Sequence, residues 1–236
     1  MPEHTPSPPG PACVSVIVPV LNEAHTVAAA LATARAPEVL EIIVVDGGSS
    51  DRTRRVAAPL ADVVVRGPRG RAAQMNAGAA RARGDVLLFL HADTLLPLGF
   101  AAHVLGACWQ PGVVGGRFDV ELQPTSPVLR LVAALMNLRS RLSRIATGDQ
   151  AIFIRRDVFA RLGGYAQLSL MEDIDLSRRM KRAGAVACLR ARVVTSSRRW
   201  RRDGVWRTIV RMWMLRLLYF AGVRPETLAR FYTDTR

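Results

Sequence analysis

Four short apolar runs constrain the fold most: residues 14–20, 42–45, 63–65 and 86–90, rich in valine, isoleucine and leucine, with helix-like segments opening at Ala24, Asp51 and Arg71 between them. A strand with one wet face alternates apolar and polar residues. An unbroken β-branched run leaves no side for water, so it suits a strand covered on both faces. Such runs alternating with helical segments predict a parallel sheet with crossover helices, an α/β fold. Beyond Pro97 the order becomes mixed. A helix is predicted over 98–109, a strand over 113–122, a helix over 126–143, a strand over 151–154, and further helices open at Asp157 and Glu172.

The chain has 236 residues, half of them apolar, which is enough for one full core with an appendage. Residues 1–12 hold five prolines and no apolar run, so they read as a flexible lead and not as a secretory signal, and the protein is expected to be cytoplasmic. Cys13, Cys108 and Cys188 are far apart and show no CxxC spacing, which reads as three small buried hydrophobes. The four histidines, His4, His25, His91 and His103, do not cluster, which argues against a histidine metal cage.

The formal net charge is +14, and its distribution says more than its size. Residues 190–236 hold twelve arginines against Asp203, Glu226 and Asp234, a net +9. That tail suits an anionic membrane surface, a nucleic acid or a phosphorylated substrate. Within it, residues 206–220 form a long apolar helix interrupted by Arg207, Arg211 and Arg216. A bilayer span needs roughly 20 mostly apolar residues, so this helix is too short and too charged to cross. Two readings stay open: an interfacial helix at the inner face of a membrane, or a helix packed on the core with its arginines turned outward.

In open α/β sheets ligands bind beyond the carboxyl ends of the strands, so polar residues that terminate strands carry weight. The first run leads into Pro19-Val20-Leu21-Asn22-Glu23, the second into Asp46-Gly47-Gly48-Ser49-Ser50-Asp51, the fourth into His91-Ala92-Asp93. Ser50 or Asp51 already serves as a helix cap, which leaves Asp46 for a ligand. A carboxylate at Asp93, closing an apolar strand, calls for something positive. A divalent cation, Mg²⁺ or Mn²⁺, bridging a diphosphate is the usual occupant of a single-carboxylate site. Arg71 precedes a helix start, where it and the helix N-terminus could neutralise phosphate. The acids of Met171-Glu172-Asp173-Ile174-Asp175 open a helix, and by themselves they need no more explanation than the macrodipole.

Taken as a set, these motifs resemble glycosyltransferase family 2, from Val14 to about Trp200. Pro19-Val20-Leu21-Asn22-Glu23 is similar to that family's opening motif, the segment from Asp46 to Asp51 to its second, His91-Ala92-Asp93 to its DxD and Glu172-Asp173 to its ED pair. The resemblance implies a GT-A fold, a Rossmann-like mixed sheet flanked by helices. Residues 13–96 would be the nucleotide-binding half, 97–200 the acceptor-binding half and 201–236 a basic helical tail. It implies inverting transfer of one sugar from a UDP- or GDP-sugar to an unidentified hydroxyl acceptor. Pro19, Asn22, Glu23, Asp46, Arg71, His91 and Asp93 would meet the donor, with Asp93 the ligand of the divalent cation. Asp173 would take the acceptor's proton while cation and arginines stabilise the departing diphosphate. Asp149, Gln150, Glu172, Arg199 and Trp200 would contact acceptor or diphosphate.

Ser196-Ser197-Arg198-Arg199-Trp200 is similar to the QxxRW motif of processive members, with serine in place of glutamine, which argues for single addition. His91 stands for the first acid of DxD, and Gly47 where many members carry a second aspartate that helps read the base. At a closer level, Phe89-Leu90-His91-Ala92-Asp93-Thr94 with Gly148-Asp149-Gln150, Met171-Glu172-Asp173 and Arg198-Arg199-Trp200 resembles a bacterial subgroup labelled arsenosugar-biosynthesis glycosyltransferases. A polyprenyl-phosphate or lipid-linked sugar synthase at the membrane surface is the alternative within the same chemistry. An oxidoreductase would place GxGxxG after the first strand, and a nucleotidyltransferase would place a glycine-rich loop with an arginine there; neither is present. A non-catalytic protein binding membrane or nucleic acid through its basic tail would leave the strand-end motifs unexplained, so no nucleic-acid partner is expected.

Overall fold

The computed structural model describes residues 12–231, except for the side chains of Arg199 and Arg230. The proline-rich lead therefore lies, Ala12 apart, outside the described residues. The first half alternates as expected: β1 (Val14–Val20), α1 (Val27–Thr33), β2 (Val39–Asp46), α2 (Thr53–Ala57), β3 (Val63–Arg66), α3 (Arg71–Ala79) and β4 (Val86–Phe89). The second half runs β5 (Thr94–Leu95), α4 (Phe100–Cys108), β6 (Val113–Gln123), α5 (Pro127–Ser143), β7 (Phe153–Arg155), α6 (Arg156–Arg161) and α7 (Glu172–Ala183). It ends with β8 (Ala185–Ser196), α8 (Arg198–Asp203), α9 (Val205–Phe220) and α10 (Pro225–Arg230).

The strands form one sheet in the order β3-β2-β1-β4-β7-β6-β8-β5. β1 to β4 run parallel, β7 is antiparallel to β4 and β6, β8 is parallel to β6, and β5 is antiparallel to β8. The unbroken apolar runs have the predicted cause, since each face of the sheet is covered. Val16, Val18, Val20, Ile42 and Val44 pack with Leu31 of α1 and Phe100 and Val104 of α4. Ile17, Ile43, Val45, Leu87 and Phe89 pack on the other face with Met75 of α3, Phe159 of α6 and Met180 of α7. Because β2 and β4 flank β1 on opposite sides, a crevice opens at the carboxyl ends of β1 and β4, where such sheets take ligands.

Local chemistry places several boundaries. The Ser126 hydroxyl accepts from the Leu129 N–H at 3.2 Å and Pro127 occupies the first turn of α5, so that helix starts where capping rules put it. α7 carries Glu172, Asp173 and Asp175 in its first turn and Lys181 and Arg182 in its last, which complements its dipole.

The structure departs from the sequence reading in three places. β8, twelve residues long, was not foreseen, because Arg190 and Arg192 interrupt its apolar pattern. Of the cysteines only Cys108 is buried, its thiol pushed up to about 12 by burial; Cys13 and Cys188 are half-buried, and all three are free. The third departure is α9. It packs on the core through Thr208 and Leu215, the latter against Leu170, Met171 and Ile174. Its arginines do not simply turn outward, for Arg216 faces a cavity and Arg211 pairs with Asp203 at 3.0 Å. The outward face is apolar instead. Among the described residues no helix is long and apolar enough to cross a membrane.

Candidate active site

At the ends of β1 and β2 the polar residues lock two loops together. Asp46 is 1 % exposed, and its carboxylate accepts from the N–H of Ser49 at 3.1 Å and from the Ser49 hydroxyl. Ser49 Oγ also accepts from the Asn22 N–H at 2.9 Å, while Asn22 Oδ1 accepts from the Ser50 N–H at 2.9 Å. Asn22 holds a left-handed backbone, φ 55°, a conformation asparagine tolerates better than most residues. Beneath them the buried Gln74 amide donates to the carbonyls of Val20 and Val45, both at 2.8 Å, and so closes the two strand ends. Pro19 is buried inside β1, paired with Val45.

The crevice itself is lined by Glu23, Arg71, His91, Asp93, Asp149, Glu172, Asp173 and Trp200, all singled out in the sequence. Pro19, Asn22, Asp46 and Gln150 are not among its lining residues. Gln150 is fully buried, its side chain closing a capping box with Thr147 at the 3-10 turn over Gly148–Gln150. The backbone of Arg199 lies in α8, and its side chain lies outside the described residues.

Asp93 follows β4 in the tight segment leading to β5, and its own carbonyl accepts from the Ser196 N–H at 3.3 Å. Its carboxylate is half-buried at the cavity and has no hydrogen-bond or ion-pair partner among the described residues. His91 lies so close to Gly148 that a Cβ there would meet its Nε2 at 2.5 Å, which accounts for glycine at that position. That contact joins the end of β4 to the turn carrying Asp149.

Asp173 sits on the first turn of α7, whose entry at Met171 has φ 69°. Asp173 Oδ2 accepts from the Gly148 N–H at 2.8 Å and Oδ1 from the Ile174 N–H at 2.7 Å. Burial pushes its carboxyl above the usual carboxylate range. The two N–H donors oppose that shift, Asp149 adds to it, and Arg216 opposes it. A carboxyl held by two backbone donors yet raised in pKa suits proton uptake. Behind it, burial pushes the Arg139 guanidinium down to about 10, Arg216 adds to that, and Asp149 and Asp173 act against it.

The rest of the wall comes from the tail. Arg198 Nη2 approaches Glu23 Oε2 at 3.7 Å, which ties the end of β8 to the end of β1. Thr208, Met212, Leu215 and Arg216 of α9 also line the cavity. The sequence reading missed these because α9 looked like an appendage; an arginine inside an otherwise apolar helix was the available signal.

The model of glycosyl transferase family 2 matches residues 15–162, more than half of the chain. The chain belongs to glycosyltransferase family 2. Among curated proteins it is 29% identical to a probable glycosyltransferase, YdaM, of Bacillus subtilis (strain 168), over 202 residues covering 72% of this chain and 47% of that protein. This family member thus spans about half the length of that relative. Among solved structures it resembles S. aureus TarS 1–349, with a TM-score of 0.62 and 19% identity over 78% of this chain and 60% of that one. It also resembles a glucosyl-3-phosphoglycerate synthase of Mycobacterium tuberculosis in complex with Mn²⁺, UDP and glucosyl-3-phosphoglycerate (TM-score 0.58, 20% identity, 77% and 71% covered). A third is the mannosyltransferase PcManGT of Pyrobaculum calidifontis in complex with GDP-Man and Mn²⁺ (TM-score 0.60, 22% identity, 77% and 56% covered). At these identities the likeness shows the fold, GT-A.

Among the described residues no group of three or more His, Cys, Asp or Glu side chains is placed to hold a metal ion. Among the described residues the Asp93 carboxylate and the buried Asp149 Oδ1, both at the cavity, lack a hydrogen-bond partner. A carboxylate such as Asp93 fits a cation whose remaining ligands come from a diphosphate and water.

Proposed function

We propose that this chain transfers one sugar from a UDP- or GDP-sugar to an acceptor hydroxyl, inverting the anomeric carbon, with a divalent cation at Asp93. The observation that carries this reading is the meeting within one cavity of Asp93, which has no side-chain partner among the described residues, and a pKa-raised Asp173 on α7, held by two backbone N–H groups. The relatives crystallised with UDP or GDP-mannose and Mn²⁺ support it.

In this mechanism the bond between the anomeric carbon and the diphosphate oxygen breaks, and one between that carbon and the acceptor oxygen forms. The acceptor proton passes to Asp173, and the nucleoside diphosphate leaves. Arg71 and Arg198 both line the cavity and supply positive charge where the diphosphate develops it. When bound, the cation supplies Lewis-acid stabilisation of the same oxygens. Burial raises the Asp173 pKa against the Gly148 and Ile174 N–H donors, with Asp149 adding to the rise and Arg216 opposing it. Asp46, Asn22 and Gln74 serve the donor by fixing the loops rather than by touching the cavity. Glu172 and Trp200 line the acceptor side. The helices after residue 200 belong to the catalytic unit in this reading, because they close its cavity. The apolar outer face of α9 favours work at a membrane surface.

The test is a panel of UDP- and GDP-sugars with Mg²⁺ or Mn²⁺, read as release of nucleoside diphosphate. The resemblance to the arsenosugar subgroup makes an organoarsenic hydroxyl one acceptor to include. Cation-dependent turnover of one nucleotide class, abolished by Asp173→Asn, is expected. Failure of every donor to bind or turn over with either cation would overturn the proposal.

A further inference from the structure

α9 buries Thr208 and Leu215 on one face and exposes Trp206 (76 %), Val210, Trp213, Leu217 and Phe220 on the opposite one. These five recur at intervals of four and three residues, so they form one continuous stripe along a helix about 24 Å long. α5 has the same build. It buries Leu129, Val132 and Ala133 and exposes Val128, Leu131, Leu135, Leu138 and Leu142 (78 %), again at alternating three- and four-residue steps. The two helices are neighbours, since Leu129, Val132, Ala133 and Met136 of α5 share a cluster with Val205 and Ile209 of α9. Two adjacent helices thus each bury one face and leave the opposite apolar face without cover among the described residues. Exposed apolar patches of this kind mark interaction sites.

The surrounding charge selects the occupant. Arg201 and Arg202 in α8, Arg207 in the first turn of α9 and Arg224 after it are exposed, as are Arg130 and Arg144 on and after α5. A second copy of this chain would bring two strongly cationic tails together. An anionic bilayer takes the stripes into its acyl boundary and pairs the arginines with its headgroups. We infer that the outer faces of α5 and α9 form a docking surface for an anionic lipid bilayer. The inference rests on the membrane setting proposed above for α9 and extends it to a second helix and to a headgroup charge. Because α9 lines the catalytic cavity with its other side, docked membrane lies about one helix diameter, ~10 Å, from the carboxylates.

The experiment is co-sedimentation of the full chain with vesicles of phosphatidylcholine alone or with about 30 mol % phosphatidylglycerol, at low and high salt. Binding to the anionic vesicles is expected to exceed binding to neutral ones by about tenfold and to weaken with salt. Trp213→Glu with Leu217→Glu should lower it by about tenfold, and Leu135→Glu with Leu138→Glu should lower it further. An unchanged melting temperature in these exposed-site variants separates lost docking from lost folding. The inference falls if the wild type stays in the supernatant, or if the fourfold variant sediments like the wild type. It also falls if light scattering shows a dimer that Trp213→Glu with Leu217→Glu dissociates. Asp173→Asn should sediment like the wild type. Vesicle binding without any sugar transfer would therefore remove the transferase reading and leave the docking surface, and transfer without vesicle binding would do the reverse.

Discussion

The two halves of the crevice are built by different physics. On the side of β1 and β2 the loops are held by side-chain hydrogen bonds across the strand ends: Ser49 and Ser50 meet Asp46 and Asn22, with the Gln74 amide closing both strands beneath. On the side of α7 hydrogen bonds are joined by apolar packing from α9. Gly148 meets Asp173, Ser196 meets Asp93, and Leu215 of α9 packs under Met171 at the entry of α7. The first arrangement fixes position through backbone register. The second adds packing of Leu215 against Met171 to its hydrogen bonds, so a lesion in α9 can disturb it.

Variants can break this contrast. Asp173→Asn should lower turnover by about 10²–10⁴-fold while nucleotide affinity stays within about twofold, measured as kcat against nucleotide Kd, because the proposed mechanism loses its proton acceptor and keeps its donor side. Leu215→Ala should cost about 2–5 kcal/mol in denaturant unfolding, the cost of a buried cavity, and should reduce turnover in the surviving folded protein because α9 also walls the site. Ser49→Ala, on the hydrogen-bonded side, leaves the buried Asp46 carboxylate with one donor fewer. It should cost about 1–3 kcal/mol and weaken nucleotide binding without changing the pH profile of turnover.

The smallest effect concerns pH. Asp173 has a folded-state pKa above its unfolded value, so the folded protein binds that proton more tightly. The resulting stability is fully present below the unfolded pKa and is lost as pH rises through the folded one. Near neutral pH Asp173→Asn should therefore melt higher than the wild type, and the gain should vanish in acid. Turnover of the wild type should fall as pH drops through the same raised pKa. Melting temperature and kcat measured across pH check both signs.

The parallel strands and their polar ends were legible because burial on both faces forces continuous apolar runs, which a single sequence displays. Glu23, His91 and Asp93 were legible for the same reason, as polar residues that stop such runs. Pro19, Asn22, Asp46 and Gln150 do not line the cavity. A buried carboxylate satisfied by a serine three residues on looks, in sequence, like one aimed at a ligand. β8 was hidden by its exposed arginines. The contribution of α9 was illegible because an apolar helix with both faces hydrophobic gives no sign of which face meets the core.

The division of labour between the halves is tested most directly by the melting temperature with UDP or GDP and Mn²⁺ in the wild type, Asp173→Asn and Asp93→Ala. At a hundredfold excess over Kd, binding stabilises by about 2.7 kcal/mol, a rise of about 5–10 °C for a chain of this size. That rise is expected, with one of the two nucleotides, in the wild type and in Asp173→Asn, and little or none in Asp93→Ala. A full rise in Asp93→Ala, or none in the wild type with either nucleotide, would contradict that expectation.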